Sequence, residues 1–217
     1  MAKEDTYQTL ADISEGLFKD RGSKFFGYAK SIRSEEEAVE YLQQIKDQHH
    51  KARHHCYAYQ LLDENHFRYN DDGEPSGTAG KPIYNQILSA KLKDVIIIVV
   101  RYFGGTKLGT SGLINAYKEG AIEAIQANRI ITKTIEQEIL LHFDYALMGK
   151  TMEVIKYLDL NVVRKEFEND GKIWITIPES ETDSTITSIK ARFLGRNQED
   201  IEEDTTIPGL TIGLSRE

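Results

Sequence analysis

Val95-Ile96-Ile97-Ile98-Val99-Val100-Arg101-Tyr102-Phe103-Gly104-Gly105-Thr106-Lys107-Leu108-Gly109-Thr110-Ser111-Gly112 decides the fold of this chain. Its first six residues are apolar and β-branched without interruption. That pattern predicts a strand covered on both faces, because a half-exposed strand alternates with polar residues. Gly104-Gly105 breaks the strand. A helix is predicted from about Ser111 to Ala127, with Leu113, Ile114, Tyr117, Ala121, Ala124 and Ile125 on its apolar side. The segment therefore reads strand, glycine turn, helix, an arrangement in which α/β sheets place ligands at the strand end. Arg101 and Lys107 supply cationic groups for a phosphate or carboxylate, and Tyr102 can stack on a base. Phe103 is expected in the core.

Working outward, Lys24 to Ser31 reads as a strand. Ser34 followed by Glu37 has capping-box spacing, and Ala38, Tyr41, Leu42 and Ile45 continue a helix to about Gln48. His55–Leu62 and Phe67–Tyr69 read as strands joined at Glu64-Asn65. A glycine-rich loop, residues 71–81, leads to a helix from about Ile83 to Leu92. Beyond a junction at Asn128–Ile131, strands are predicted over Lys133–Phe143, Asn161–Glu168, Lys172–Pro178 and Gly209–Leu214. Asp170-Gly171 is the expected hairpin turn. Helices are predicted from an Asp144 cap to Leu158 and over Asp183–Phe193. This second half follows the β-α-β-β-α-β ferredoxin-like plan. The fold class is α+β, with a first domain over residues 1–130 and a second over 131–217.

Of the 217 residues, 40% are hydrophobic, enough for two cores. The net charge of −8 argues against a protein that binds nucleic acid over its whole surface. The acidity lies almost entirely after residue 130, so the near-neutral first half has room for a local basic patch. The acidic second half could itself serve as a docking surface for a protein partner. One cysteine, Cys56, excludes an intrachain disulfide and a cysteine-only zinc site. The polar, acidic start is no secretory signal, and the longest apolar run is too short to span a bilayer. The expected location is cytoplasmic.

The common catalytic signatures fail. Gly80-Lys81 lacks the partners of a P-loop, because positions 75 and 82 are proline. No three glycines have dinucleotide-binding spacing, and Gly109-Thr110-Ser111-Gly112 is one residue short of a nucleophile elbow. Two other constellations remain. In Asp71-Asp72-Gly73-Glu74-Pro75-Ser76-Gly77-Thr78-Ala79-Gly80-Lys81-Pro82, the carboxylates of Asp71, Asp72 and Glu74 could hold a divalent cation. Alternatively, the amides of a helix N-terminus with Ser76, Thr78 and Lys81 could bind an anion, or Ser76 or Thr78 could simply cap the helix. In His49-His50-Lys51-Ala52-Arg53-His54-His55-Cys56, alternation puts His54 and Cys56 on one strand face, too few ligands for a closed metal site. His54 is the candidate for acid–base or anion contact.

Taken together, residues 21–25 (Arg-Gly-Ser-Lys-Phe), 51–59, 71–82 and 101–113 resemble the YigZ/IMPACT family, in its order and spacing. The resemblance implies an N-terminal α/β domain like the second domain of ribosomal protein S-five. It implies a C-terminal ferredoxin-like domain akin to one in elongation factor G. Eukaryotic relatives modulate translation by interfering with activation of a stress kinase, using an additional RWD domain for which this chain is expected to have no room. The expectation is a regulatory or binding protein linked to translation, contacting RNA, a ribosome-associated partner or another protein, without DNA specificity and without a resident cofactor. The alternatives are an enzyme acting on a phosphorylated or carboxylated small molecule, and a protein–protein adaptor.

Overall fold

The computed structural model describes residues 5–215. In chain order the elements are β1 (Thr6–Leu10), β2 (Ser14–Asp20), β3 (Ser23–Ser31), α1 (Glu35–Gln48), β4 (His54–Gln60), β5 (Phe67–Asn70), α2 (Gly80–Ser89), β6 (Val95–Tyr102), α3 (Gly109–Gln126), β7 (Ile130–Thr134), β8 (Glu136–Phe143), α4 (Met148–Tyr157), β9 (Asn161–Phe167), β10 (Gly171–Pro178), α5 (Thr182–Leu194) and β11 (Leu210–Leu214). Mixed α/β architecture with antiparallel sheets is thus the fold class. The chain divides into two compact units, one over Tyr7–Lys133 and one running from Thr134 that also takes in Asp5 and Thr6.

In the first unit β6 is the middle of a five-stranded sheet of order β2-β3-β6-β4-β5. Each neighbouring pair in that sheet is antiparallel. The uninterrupted apolar run is explained by where its two faces go. Val95, Ile97 and Val99 join a core with residues of α2 and α3. Ile96, Ile98 and Val100 join a second core with Ala38, Tyr41 and Ile45 of α1. Continuous hydrophobicity here marks a central strand covered on both sides, although in an antiparallel sheet.

The Ser34 cap of α1 is in place, and the return arm from Glu37 is displaced by one residue. Glu37 N–H donates to Ser34 Oγ at 3.3 Å, and Glu37 Oε2 reaches back one residue beyond the cap, to Arg33 N–H at 3.0 Å. Strands β1, β2 and β7 were not foreseen. β2 and β3 form a hairpin whose turn, Arg21-Gly22, has positive φ at both positions, 45° and 81°. That is the backbone twist which suits a tight antiparallel connection. Arg21-Gly22 is therefore the turn, and Ser23-Lys24 open β3. Helix α2 begins at Gly80, three residues earlier than predicted, and Pro82 is tolerated because it falls in the first turn.

The second unit carries a four-stranded antiparallel sheet of order β11-β8-β10-β9. Its core gathers Ile139, Leu141 and Phe143 of β8 with Ile173, Ile175 and Ile177 of β10, Val154 of α4 and Ile189 of α5. The expected Asp170-Gly171 turn shifts by one residue, since Gly171 already pairs with Phe143 and Phe167. A Cβ on Gly171 would lie 2.3 Å from the Phe143 ring, so this glycine serves packing. Among the described residues no helix is long and apolar enough to cross a membrane.

Candidate functional site

Strand β6 ends where α3 begins, and the alternation of the strand sends its last two side chains to opposite faces. Arg101 points towards α2 and α3. It is 8% exposed, and its Nη1 donates to Glu74 Oε1 at 2.6 Å. Tyr117 of α3 donates to the same oxygen at 2.8 Å. The Glu74 side chain is only 4% exposed, so this is a buried ion pair that ties the acidic loop to the end of β6. Arg101, expected to meet an anion, is thus neutralised by the protein. Tyr102 turns the other way, packs edge-on against Phe26 and shares a hydrogen bond with His49 Nδ1 at 3.0 Å. Its ring is committed to an aromatic cluster.

The neighbouring Phe103 is 60% exposed, opposite to its expected place in the core. Its ring lies 5.6 Å from the Arg101 guanidinium carbon. The central strand ends at Tyr102, so Phe103 already belongs to the loop. A single aromatic at a strand end carries no signal that separates the two outcomes.

Each of the three carboxylates proposed for a cation has its own protein partners. Asp71 Oδ1 accepts the amides of Ala79 and Gly80 at 2.9 and 2.8 Å, and Oδ2 accepts that of Gly77 at 2.8 Å. Asp72 Oδ2 accepts the amide of His55 at 2.7 Å. Glu74 holds Arg101 and Tyr117. Among the described residues no group of three or more His, Cys, Asp or Glu is arranged to hold a metal ion. The residues therefore do not fit a divalent cation in this loop.

The anion alternative for the same loop meets a related obstacle. The N-terminal amides of α2 already receive the Asp71 carboxylate, a charge the helix dipole favours at that end. Thr78 is buried and donates to Pro75 O at 2.7 Å. Neither Ser76 nor Thr78 caps the helix, whose first position has no side-chain cap. Ser76 and Lys81 are exposed.

Cys56 is fully buried and donates to Asp71 O at 2.9 Å. Burial pushes its thiol far above the ordinary range, and does the same to the Tyr117 hydroxyl. Neither is a nucleophile at neutral pH.

Helix α3 differs from α2. Its N-cap is Leu108, with no side-chain cap, and there is no acid in its first turn. It opens into a cleft of about 730 Å³ lined by Lys51, Arg53, His54, Glu74, Phe103, Lys107 and Thr110 among others. Lys51, Arg53 and Lys107 are exposed. His54 pairs across the sheet with Arg101, which brings the histidine motif to the same cleft. His54 Nδ1 lies 2.9 Å from Asp72 O, an acceptor, so Nδ1 carries the proton. The loop is held in place by a very close approach. A Cβ on Gly104 would stand 1.9 Å from Gly22 C, and Gly104 N–H donates to Ser23 Oγ at 3.1 Å. Only a residue without a side chain fits that contact.

Of the sequence candidates, His54, Arg101, Tyr102 and Lys107 line this cleft together with Glu74. Asp71, Asp72, Ser76, Thr78 and Lys81 do not. Lys51, Arg53, Phe103 and Thr110 also line it.

The Impact N-terminal domain model matches residues 21–125, a span that contains every residue of the cleft. Over 180 residues the chain is 32% identical to the IMPACT family member YvyE of Bacillus subtilis, covering 82% of this chain and 83% of the relative. The chain belongs to the IMPACT family. Family member YigZ of Escherichia coli is 29% identical over 159 residues, covering 72% of this chain and 78% of its own. A solved structure described as that of a hypothetical protein has a TM-score of 0.73 at 24% identity over 99% of both chains, which shows a shared fold across the whole length. The Impact N-terminal domain match lies within the unit that bears the cleft, and the likeness to YvyE extends beyond it.

Proposed function

We propose that this IMPACT-family protein is a cytoplasmic binding protein whose first unit holds the sugar-phosphate backbone of RNA, in a role connected with translation. The observation that carries the reading is the start of α3. Among the described residues no side chain caps its amides, and they open onto a cleft edged by Lys51, Arg53 and Lys107. Uncapped helix amides and cations together favour phosphate, and exposed Phe103 offers a surface on which a base can stack. The neutralised Arg101 positions Glu74 and Phe103 and adds no net charge.

The two domain types implied by the family resemblance agree with this reading. The order β11-β8-β10-β9 with two helices supports a ferredoxin-like reading of the second unit, and we propose the ribosomal-protein-S-five likeness for the first unit. Both occur in translation machinery, an association that supports the reading.

The test is binding of purified protein to total cellular RNA and to ribosomal fractions at two salt concentrations, beside a Lys51→Ala/Arg53→Ala/Lys107→Ala variant. Each phosphate contact removed should lower the dependence of log K on log salt by about 0.7. The triple variant should thus bind weakly and with a shallower slope. A folded wild-type protein that binds neither fraction overturns the reading. Binding unaffected by the triple variant overturns its placement in this cleft.

A further inference from the structure

Arg101 adds no net charge to the cleft, yet its bond to Glu74 uses only one of its nitrogens. Nη1 carries that bond. Nε is buried and has no hydrogen-bond partner, and Nη2 has none among the described residues. Nε–H and the Nη2–H beside it are parallel in the planar guanidinium, so this free edge is a fork for two oxygens of one anion. The Arg101 side chain is only 9% exposed. Its Cζ lies 5.7 Å from the Phe25 ring and 5.6 Å from the Phe103 ring, and this packing holds the plane of the fork. A buried donor without an acceptor costs free energy until one reaches it. Arg101 lines the same cleft as Lys107 and the first residues of α3, Gly109 and Thr110. The uncapped helix end and the unpartnered fork are independent features, and both call for the oxygens of an anion.

Resting on the reading of the cleft as a phosphate site, we infer that it seats the terminal phosphate of an RNA strand, a phosphomonoester, in preference to the phosphodiesters within the chain. A diester has two unesterified oxygens and a single negative charge, and the fork alone takes both oxygens. A monoester has three, so the third is left for the α3 amides and Lys107. Its greater charge at neutral pH suits a rim that carries Lys51, Arg53 and Lys107. A monoester also has one ester bond leading away instead of two, so it can enter end-on and reach a side chain at the floor. The exposed Phe103 ring is the part of the cover free to shift as it enters. A free nucleotide carries the same monoester. The strand is favoured because Lys51 and Arg53 precede β4 while Lys107 precedes α3, so the rim extends over two elements and serves the phosphates that follow the terminal one.

The experiment compares single-stranded oligoribonucleotides of one sequence that end in a 5′-phosphate, in a 3′-phosphate or in hydroxyls at both ends, with a ribonucleoside monophosphate and inorganic phosphate as competitors. Each is measured with wild-type protein and Arg101→Lys. The expected result is that one phosphorylated end binds roughly tenfold tighter than the unphosphorylated strand, the worth of one hydrogen bond to a charged group. Arg101→Lys keeps a cation beside Glu74 but has no fork, and should bring that ratio towards one. The wild-type comparison needs no change in the protein, so the result does not depend on how the variant folds. Equal binding of phosphorylated and unphosphorylated strands overturns the inference and leaves the reading of the cleft as a backbone site standing. An undiminished ratio in folded Arg101→Lys overturns the assignment to the fork. Absence of binding to every strand overturns both readings. Monophosphate or inorganic phosphate bound as tightly as the strand places the same chemistry on a free ligand and overturns the choice of an RNA end.

Discussion

Two loops in this protein lead into helices, and they are built from the same small set of residues. One runs from Asp71 to Gly80 and enters α2; the other runs from Phe103 to Gly109 and enters α3. Each holds three glycines and a threonine, and both deliver helix amides without a side-chain cap at the first position. They are used in opposite ways. The first loop carries its own anion, and Asp71 spends both oxygens on three amides. The second carries a lysine and no acid, and its helix end faces a cleft. The difference teaches that glycine-rich composition marks a helix entrance. Whether the entrance is open to a ligand depends on a single carboxylate several residues away.

The ion pair that ties the first loop to the strand leading into the second gives the largest expected effect. Arg101→Ala leaves Glu74 buried without its partner and should cost about 3–5 kcal/mol in urea unfolding. Lys107→Ala, at the exposed rim, should change stability by less than about 0.5 kcal/mol. Similar losses for the two would break the distinction between a structural and a ligand-facing cation. Asp71→Ala comes next. It removes the acceptor of three amides and should destabilise by on the order of 3 kcal/mol, read in the same assay. An unchanged midpoint would show that the first loop does not depend on its internal anion. The smallest effect on stability sharpens the comparison from the other side. Thr110→Asp puts a carboxylate into the first turn of α3, as Asp71 does for α2. It should raise stability by about 0.3–1 kcal/mol through the helix dipole. RNA affinity, measured by filter binding, should fall several-fold. Undiminished affinity would mean that the start of α3 is not the phosphate site.

Much of the fold was legible in short stretches. The Val95–Val100 run identified the central strand, and Ser34 with Glu37 fixed the start of α1, because periodicity and capping are local signals. The cleft was legible in part. His54, Arg101 and Lys107 stood out by type, and the chain pattern placed them near strand and helix ends. Their partners did not stand out. Glu74 meets Arg101 from 27 positions away and Tyr117 from 43. Pairings at such separations leave no trace in a local window. The same holds for β1 and β7, whose partners lie at opposite ends of the unit. The metal reading of the acidic loop arose because three acids in four residues look like a ligand set. In the fold their side chains serve three separate structural ends.

The contact between Gly22 and Gly104 has a consequence for when the cleft exists at all. Ser23 and Gly104 are 81 positions apart, and their contact joins the first hairpin to the loop that begins the cleft. The loop is seated against that hairpin, which pairs through β3 with the central strand β6. Long-range closures of this kind come late because the chain entropy must be lost before the contact forms. The cleft is therefore expected to be completed late in folding. A partly synthesised or partly unfolded chain has no working site to offer, and occupancy of the cleft reports a completed first unit.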